Sequence, residues 1–162
     1  AAMVAAALVL SACTVQPLYG PTPAGGTVST TLSQISIDQV DDRIAQQVRN
    51  KLVFDLTGGA GGGEPAYRLA LIVTASEAEL GITRQESAPV YSVTVAATYE
   101  LSRIAPGEII QRATGRGTAS YARNNQVYSN VRAKIDAEDR AAAIVADDIR
   151  IRLAALAARG GL

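Results

Sequence analysis

The chain has 162 residues, 15 basic and 15 acidic side chains, one cysteine and no histidine. Balanced charge argues against a nucleic-acid binder, which needs a strongly basic face. The missing histidine removes Ser-His-Asp and Cys-His catalysis, His-ligated zinc and the commonest general base near neutral pH, and a lone cysteine excludes an internal disulfide.

The chain opens with an uncharged apolar run that closes on Leu10-Ser11-Ala12-Cys13. A branched residue, two small residues and a cysteine in that place form the pattern of a bacterial lipoprotein signal peptide. The small side chains fit a peptidase site, and the thiol takes up a diacylglycerol before cleavage. On this reading residues 1–12 are signal peptide, and the mature chain starts at Cys13 carrying diacylglycerol and an N-acyl lipid; no further cofactor or metal is expected. Three acyl chains would make release from a membrane negligible, because one alone binds weakly. The competing reading is a buried helix ending in a buried thiol. Against it, the run has no polar face and is followed by Pro17, Gly20, Pro21 and Pro23, which do not continue a helix. The run is also shorter than the roughly 20 residues of a bilayer span. A positively charged segment before it is missing, which predicts further residues upstream of Ala1.

Residues 13–31 read as a lipidated tether, rich in Pro, Gly, Ser and Thr and without periodicity. The folded body is expected at 32–162. It begins with a strand over 32–40, whose apolar side rests on Ile35 and Ile37. Asp41 or Asp42 then caps a helix reaching about Leu56, with Ile44, Val48, Leu52 and Leu56 in one stripe. The glycine run at 58–63 has no Lys-Ser/Thr pair after it and reads as a connector rather than a phosphate cradle.

Three strands follow. Tyr67, Leu69, Leu71 and Val73 alternate with varied neighbours, and Val93, Val95, Ala97, Tyr99 and Leu101 alternate cleanly with Ser92, Thr94, Ala96, Thr98, Glu100 and Ser102. Ala105-Pro106-Gly107 turns the chain into a third strand over 108–121, a connection short enough for an antiparallel hairpin. One set of that strand is Arg112, Thr114, Arg116, Thr118 and Ser120. The other contains Gly115, Gly117 and Ala119, small enough for a helix or another backbone to approach closely. A last helix is expected over 136–159, with Asp136 and Asp139 in capping-box spacing and Ala141, Val145, Ile149, Leu153 and Leu156 as its stripe. The order β-α-β-β-β-α predicts an α+β two-layer sandwich: an antiparallel four-stranded sheet with two helices on one face.

Several features together resemble the lipopolysaccharide-assembly lipoprotein family LptE in its alphaproteobacterial form. These are Cys13, Pro17-Leu18-Tyr19-Gly20, the element order, and the stretches Ala119-Ser120-Tyr121, Asp136-Ala137-Glu138-Asp139-Arg140 and Ala146-Asp147-Asp148-Ile149-Arg150. The likeness spans essentially the whole chain, through short motifs that are not catalytic; Thr14-Val15 stands where the family carries Gly-Phe. The resemblance implies a lipoprotein on the periplasmic side of the outer membrane, partnered with the β-barrel LptD and with lipopolysaccharide. Thr14 rather than Asp after the cysteine agrees with outer-membrane delivery.

Between Ile109 and Ile135 the charged residues are Arg112, Arg116, Arg123, Arg132 and Lys134, with no acidic residue among them. Guanidinium groups suit phosphate, so Arg112, Arg116 and Arg123 are candidate contacts for lipopolysaccharide or a barrel wall. The alternative is a solvated strand face whose arginines discourage edge aggregation. Tyr99 reads as core, whereas Tyr121 and Tyr128, flanking the polar loop 123–126, are interface candidates. Glu77/Glu79 and Asp147/Asp148 read as solvated surface charges. An accessory lipoprotein of another envelope lipid-trafficking system remains the alternative function. A Ser-Lys hydrolase is disfavoured: Lys51 lies in a helix, Lys134 just before one, and no Ser-x-x-Lys pattern is present.

Overall fold

The structure is a computed structural model and describes residues 26–59, 61–80 and 89–162. Cys13 and the segment 14–25 lie outside the described residues. The body starts earlier than the sequence suggests. Helix α1, Val28–Ser33, occupies the end of the expected tether. Thr27 caps it, its hydroxyl accepting from the Thr30 N–H at 3.2 Å, and Val28 and Leu32, four residues apart, are buried against the two longer helices. A single turn carries little periodic signal, and its other residues are Ser and Thr, which favour caps and turns. Strand β1 is consequently shorter than expected, Ile35–Ile37, with both isoleucines buried as predicted.

Helix α2, Arg43–Thr57, follows the sequence reading closely. The Asp42 carboxylate accepts from the N–H groups of Ile44 and Ala45 at 2.9 and 3.3 Å, which satisfies donors that a helix start leaves open. Gly58 ends it in the left-handed region at φ 66°, where a side chain would be strained. Three long strands come next: β2, Tyr67–Leu80; β3, Val90–Arg103; and β4, Ile109–Ala122. The β3–β4 turn contains Gly107 at φ 91°, again a conformation that favours glycine.

The sheet order is β1-β2-β3-β4. The pairs β2–β3 and β3–β4 are antiparallel, but β1 runs parallel to β2, with Ile35 opposite Tyr67 and Ile37 opposite Leu69. The sheet is therefore mixed rather than wholly antiparallel. The cause is α2: a helix between adjacent strands carries the chain back to the end where it began, so the next strand restarts in the same direction.

Helix α3, Val127–Ala158, begins nine residues before the predicted start. Asp136 is thus no cap. It sits within the helix and pairs with Arg140 at 2.8 Å. The true start, Gln126, makes no side-chain cap bond; the loop itself ties the first turn down. Asn130 accepts from the Asn124 N–H and donates to the Asn124 carbonyl, both at 2.8 Å. At 1.5 Å per residue α3 is about 48 Å long, matching a 14-residue strand of about 46 Å.

Both long helices lie on one face of the sheet. Leu52, Leu69, Val95, Leu101, Val145, Ile149 and Leu153 are fully buried between the layers, each burial being worth about 1.5–3 kcal/mol before ordering costs. Tyr99 is in this core, as expected, at 1 % exposure, and burial raises the pKa of its phenol. The expected close approach at Gly115 and Gly117 is made by α3. A Cβ on Gly117 would stand 2.4 Å from the Ala141 carbonyl oxygen, and one on Gly115 3.1 Å from Ile149 Cγ1. With no side chain at Gly115 and Gly117, α3 comes close enough for the Ala141 backbone, Ile144 and Ile149 to lie directly against the strand.

Candidate functional site

The predicted contact residues divide between two surfaces. The first is the open face of the sheet, opposite the helices. Strand alternation directs Arg112, Thr114, Arg116 and Thr118 there. Cross-strand partners line up with them: Thr98 and Thr114 share a hydroxyl hydrogen bond of 3.0 Å, Thr94 and Thr118 one of 3.2 Å, and Arg112 pairs with Glu100. Arg116 is opposite Ala96 and has no ion pair among the described residues. Beside Arg112, Ile72 is 72 % exposed and helps line an apolar hollow of about 220 Å³ with Ala70, Thr98 and Glu100.

The second surface lies where β2 ends, β4 ends and α3 begins. Its hub is Glu77, which the sequence reading dismissed as a solvated charge. The Tyr121 hydroxyl donates to Glu77 Oε1, Arg123 Nη2 donates to the same oxygen at 3.2 Å, and Lys134 Nζ donates to Oε2 at 2.6 Å. The Lys134 bond above all, then that from Tyr121, holds the Glu77 carboxyl below its usual pKa, while Glu77 in turn raises that of Lys134. Burial, reinforced by the bond to Glu77, raises the Tyr121 phenol. Arg123 lies 4.0 Å from the centre of the Tyr91 ring, and Tyr91 stacks on Tyr121 with centroids 5.7 Å apart. The Tyr91 hydroxyl donates to Glu79 at 3.3 Å.

This geometry corrects two expectations. Tyr121 is 6 % exposed and belongs to the packed cluster rather than to an interface. Lys134 is inside α3, not before it. Tyr128, by contrast, is 78 % exposed in the first turn of α3, close in sequence to the exposed Val127 and Val131. A hollow of about 280 Å³ is lined by Arg123, Val127, Asn130, Val131 and Lys134. Cationic heads beside exposed apolar side chains suit an anionic amphiphile, whose head group and chain need both.

The basic stretch seen in the sequence is largely neutralised by partners from neighbouring strands. Glu100 takes Arg112, and Glu77 takes Arg123 and Lys134. Arg116 and Arg132 remain exposed and without an ion pair among the described residues. Asp147 and Asp148 are engaged by surface cations, Asp148 with Arg152 at 2.9 Å and Asp147 with Lys51 at 3.8 Å. Alternation could have found Glu77, since it shares a strand face with Tyr67, Leu69, Leu71 and Val73. Its partners, however, lie 44 to 57 residues away in the chain. Among the described residues no cluster of His, Cys, Asp or Glu has the makings of a metal site, and no helix is long and apolar enough to cross a membrane.

No protein-family model and no curated protein sequence matches the chain. Solved structures do. A Caulobacter crescentus CB15 protein described as a lipoprotein superposes with a TM-score of 0.66 at 23 % identity, over 81 % of this chain and 96 % of its own. A minor lipoprotein from Acinetobacter baumannii gives 0.55 at 15 % identity, over 75 % and 88 %. Rare lipoprotein B from Shewanella oneidensis gives 0.53 at 12 %, over 75 % and 92 %. At these identities the likeness is one of architecture: the α+β body of this chain has the fold of these three proteins over most of their length.

Proposed function

We propose that this protein is a non-enzymatic lipoprotein of the outer membrane, anchored through Cys13 on the periplasmic side. In this reading it docks in an LptD-like β-barrel and assists the transport and assembly of lipopolysaccharide. The observation that carries the proposal is a coincidence of two independent features: a lipobox ending at Cys13, and a body with the fold of proteins described as lipoproteins, rare lipoprotein B among them. Two surface features support it. The open sheet face offers an array of hydroxyls and arginines to a barrel lining, and the start of α3 sets Arg123 and Lys134, two cations sharing the one carboxylate of Glu77, near exposed Val127, Tyr128 and Val131. An anionic glycolipid presents phosphates next to acyl chains, and that pairing of chemistries matches the α3 surface.

The direct test is affinity purification of the tagged, full-length protein from detergent-solubilised outer membranes. A large β-barrel protein recovered at constant one-to-one stoichiometry is expected. Recovery of the lipidated protein alone, or with an inner-membrane transporter, would sink the barrel reading and favour a different lipid-trafficking role. Cys13→Ala is expected to leave the fold intact and to lower the amount held at the membrane. Unchanged retention in membrane fractions would count against the anchor.

A further inference from the structure

β4 is the last strand of the sheet, and its outer side meets no other strand among the described residues. The register shows which of its backbone groups are free. The Arg123 N–H donates to the Pro89 carbonyl at 2.9 Å, extending a ladder that runs without a shift from Val90↔Ala122 to Leu101↔Gln111. In an antiparallel ladder, residues bonded to the partner alternate with residues whose N–H and C=O point away. Counting back by twos, Tyr121, Ala119, Gly117, Gly115 and Ala113 bond to β3. Arg112, Thr114, Arg116, Thr118 and Ser120 therefore turn their backbone groups outward. The Ser120 carbonyl accepts from Arg140 Nη2 at 3.0 Å, as this count requires, and that side chain closes one end of the edge. From Arg112 to Thr118 no backbone or side-chain group among the described residues bonds to the outward backbone groups of the edge.

Side chains on either side of this edge define what fits. On the open face, Arg112, Thr114 and Thr118 already have partners on β3, but Arg116 has only Ala96 opposite it. Arg116 is therefore the side chain on this edge whose charge is left for an added strand to meet. On the helix face, Gly115 and Gly117 contribute no side chain, and Ile144 lies against Gly117 while remaining 47 % exposed. Ile151, seven residues further along α3 and thus on the same side of the helix, is 48 % exposed.

We propose that the β4 edge from Arg112 to Thr118 accepts an extended segment of a partner protein as a fifth strand. The segment alternates acidic or hydroxyl side chains, set beside Arg116 and the threonines, with aliphatic ones set beside Ile144 and Ile151. Main-chain bonds supply affinity in such strand addition, and alternate side chains supply specificity. A second copy of this chain is the less suited occupant: two β4 edges paired about Thr114 or Arg116 set arginine opposite arginine, which is destabilising, and paired about Gly115 they set Arg116 opposite Thr114 with no acid to meet it. The far end of β2, past the three residues paired with β1, carries Glu77 and Glu79, charges of the kind that discourage pairing. The proposal is independent of whether the protein docks in a barrel.

The test uses the full-length protein in detergent and a capped nine-residue peptide, Thr-Val-Glu-Val-Thr-Val-Glu-Val-Thr, whose glutamates repeat at the spacing of Arg112 and Arg116. Its counterpart carries lysine for glutamate. With saturating Glu peptide, amide hydrogen exchange at Arg112, Thr114, Arg116 and Thr118 should slow about tenfold or more, as expected of donors that gain a ladder bond. Gly115 and Gly117 should not change. Arg116→Glu should reverse the preference between the two peptides. Thr118→Pro removes an outward N–H without removing a bond to β3 and should abolish the protection. No slowing on β4, protection on β2 instead, or equal binding of both peptides by the wild-type chain would overturn the proposal. None of these results bears on barrel docking, which is read separately by co-purification.

Discussion

The two faces of the β2–β4 sheet are made by alternate residues of the same strands, yet they follow different rules. The helix-covered face is apolar and small: leucines, valines, Tyr99, and the glycines that admit α3. The open face is hydroxyl-rich, with threonine pairs and the arginines Arg68, Arg112 and Arg116. Volume decides on the first face, because close-packed layers tolerate neither a void nor an extra methyl. On the second, water reaches almost every group, so a change there alters what the surface recognises more than whether the chain folds. At one end of the covered face, the Glu77 cluster replaces apolar contacts between sheet and helix with ionic ones.

The sharpest way to break this contrast is to delete volume. Leu101→Ala on the covered face should cost about 2–5 kcal/mol in urea unfolding, whereas Ile72→Ala on the open face should stay within about 0.5 kcal/mol. Equal losses would mean that the open face is also packed in solution. Adding volume comes next. Gly117→Ala should cost about 1–3 kcal/mol, since its methyl would meet the Ala141 carbonyl at 2.4 Å unless α3 moves away. A neutral result would show that the α3–β4 contact has slack.

Glu77→Gln should have a smaller effect, no more than about 1 kcal/mol for a partly solvated cluster. Its pH dependence carries the sign. Because the folded-state pKa of Glu77 is lowered, its stabilisation is present above the unfolded carboxylate pKa and is lost as pH falls through the folded value. The gap between wild type and variant should therefore be full near pH 7 and close in acid, below the ordinary carboxylate range. A gap independent of pH would assign the loss to packing. The smallest effect is expected at Arg112→Ala, whose exposed pair with Glu100 should be worth less than about 0.5 kcal/mol and should weaken further in salt.

Some of this was legible from residue order alone and some was not. The stripe Ile44, Val48, Leu52, Leu56, the Asp42 cap and the alternation from Val93 to Leu101 are local patterns, and local patterns need only the chain's own geometry. Gly115 and Gly117 announced a close neighbour without naming it. Helix α1 was missed because one turn holds only two apolar residues. The start of α3 was missed because Val127, Tyr128 and Val131 face water, so their spacing matches no buried stripe. Of the candidate site, the shared face of Arg112 and Arg116 followed from strand period. The neutralisation of Arg123 and Lys134 did not, since Glu77 reaches them only through the register of two hairpin pairings.

By itself, then, the sequence determined the types of the long elements, most of the helix-facing residues and the α+β class, all of which depend on spacing within a single segment. Tertiary structure alone decided the parallel placement of β1, the burial of Tyr121, the assembly of the Glu77 cluster and the open edge of β4. Each of these depends on which segments become neighbours. That outcome is set by the competition among all apolar surfaces for one core, and no stretch of the chain encodes it alone.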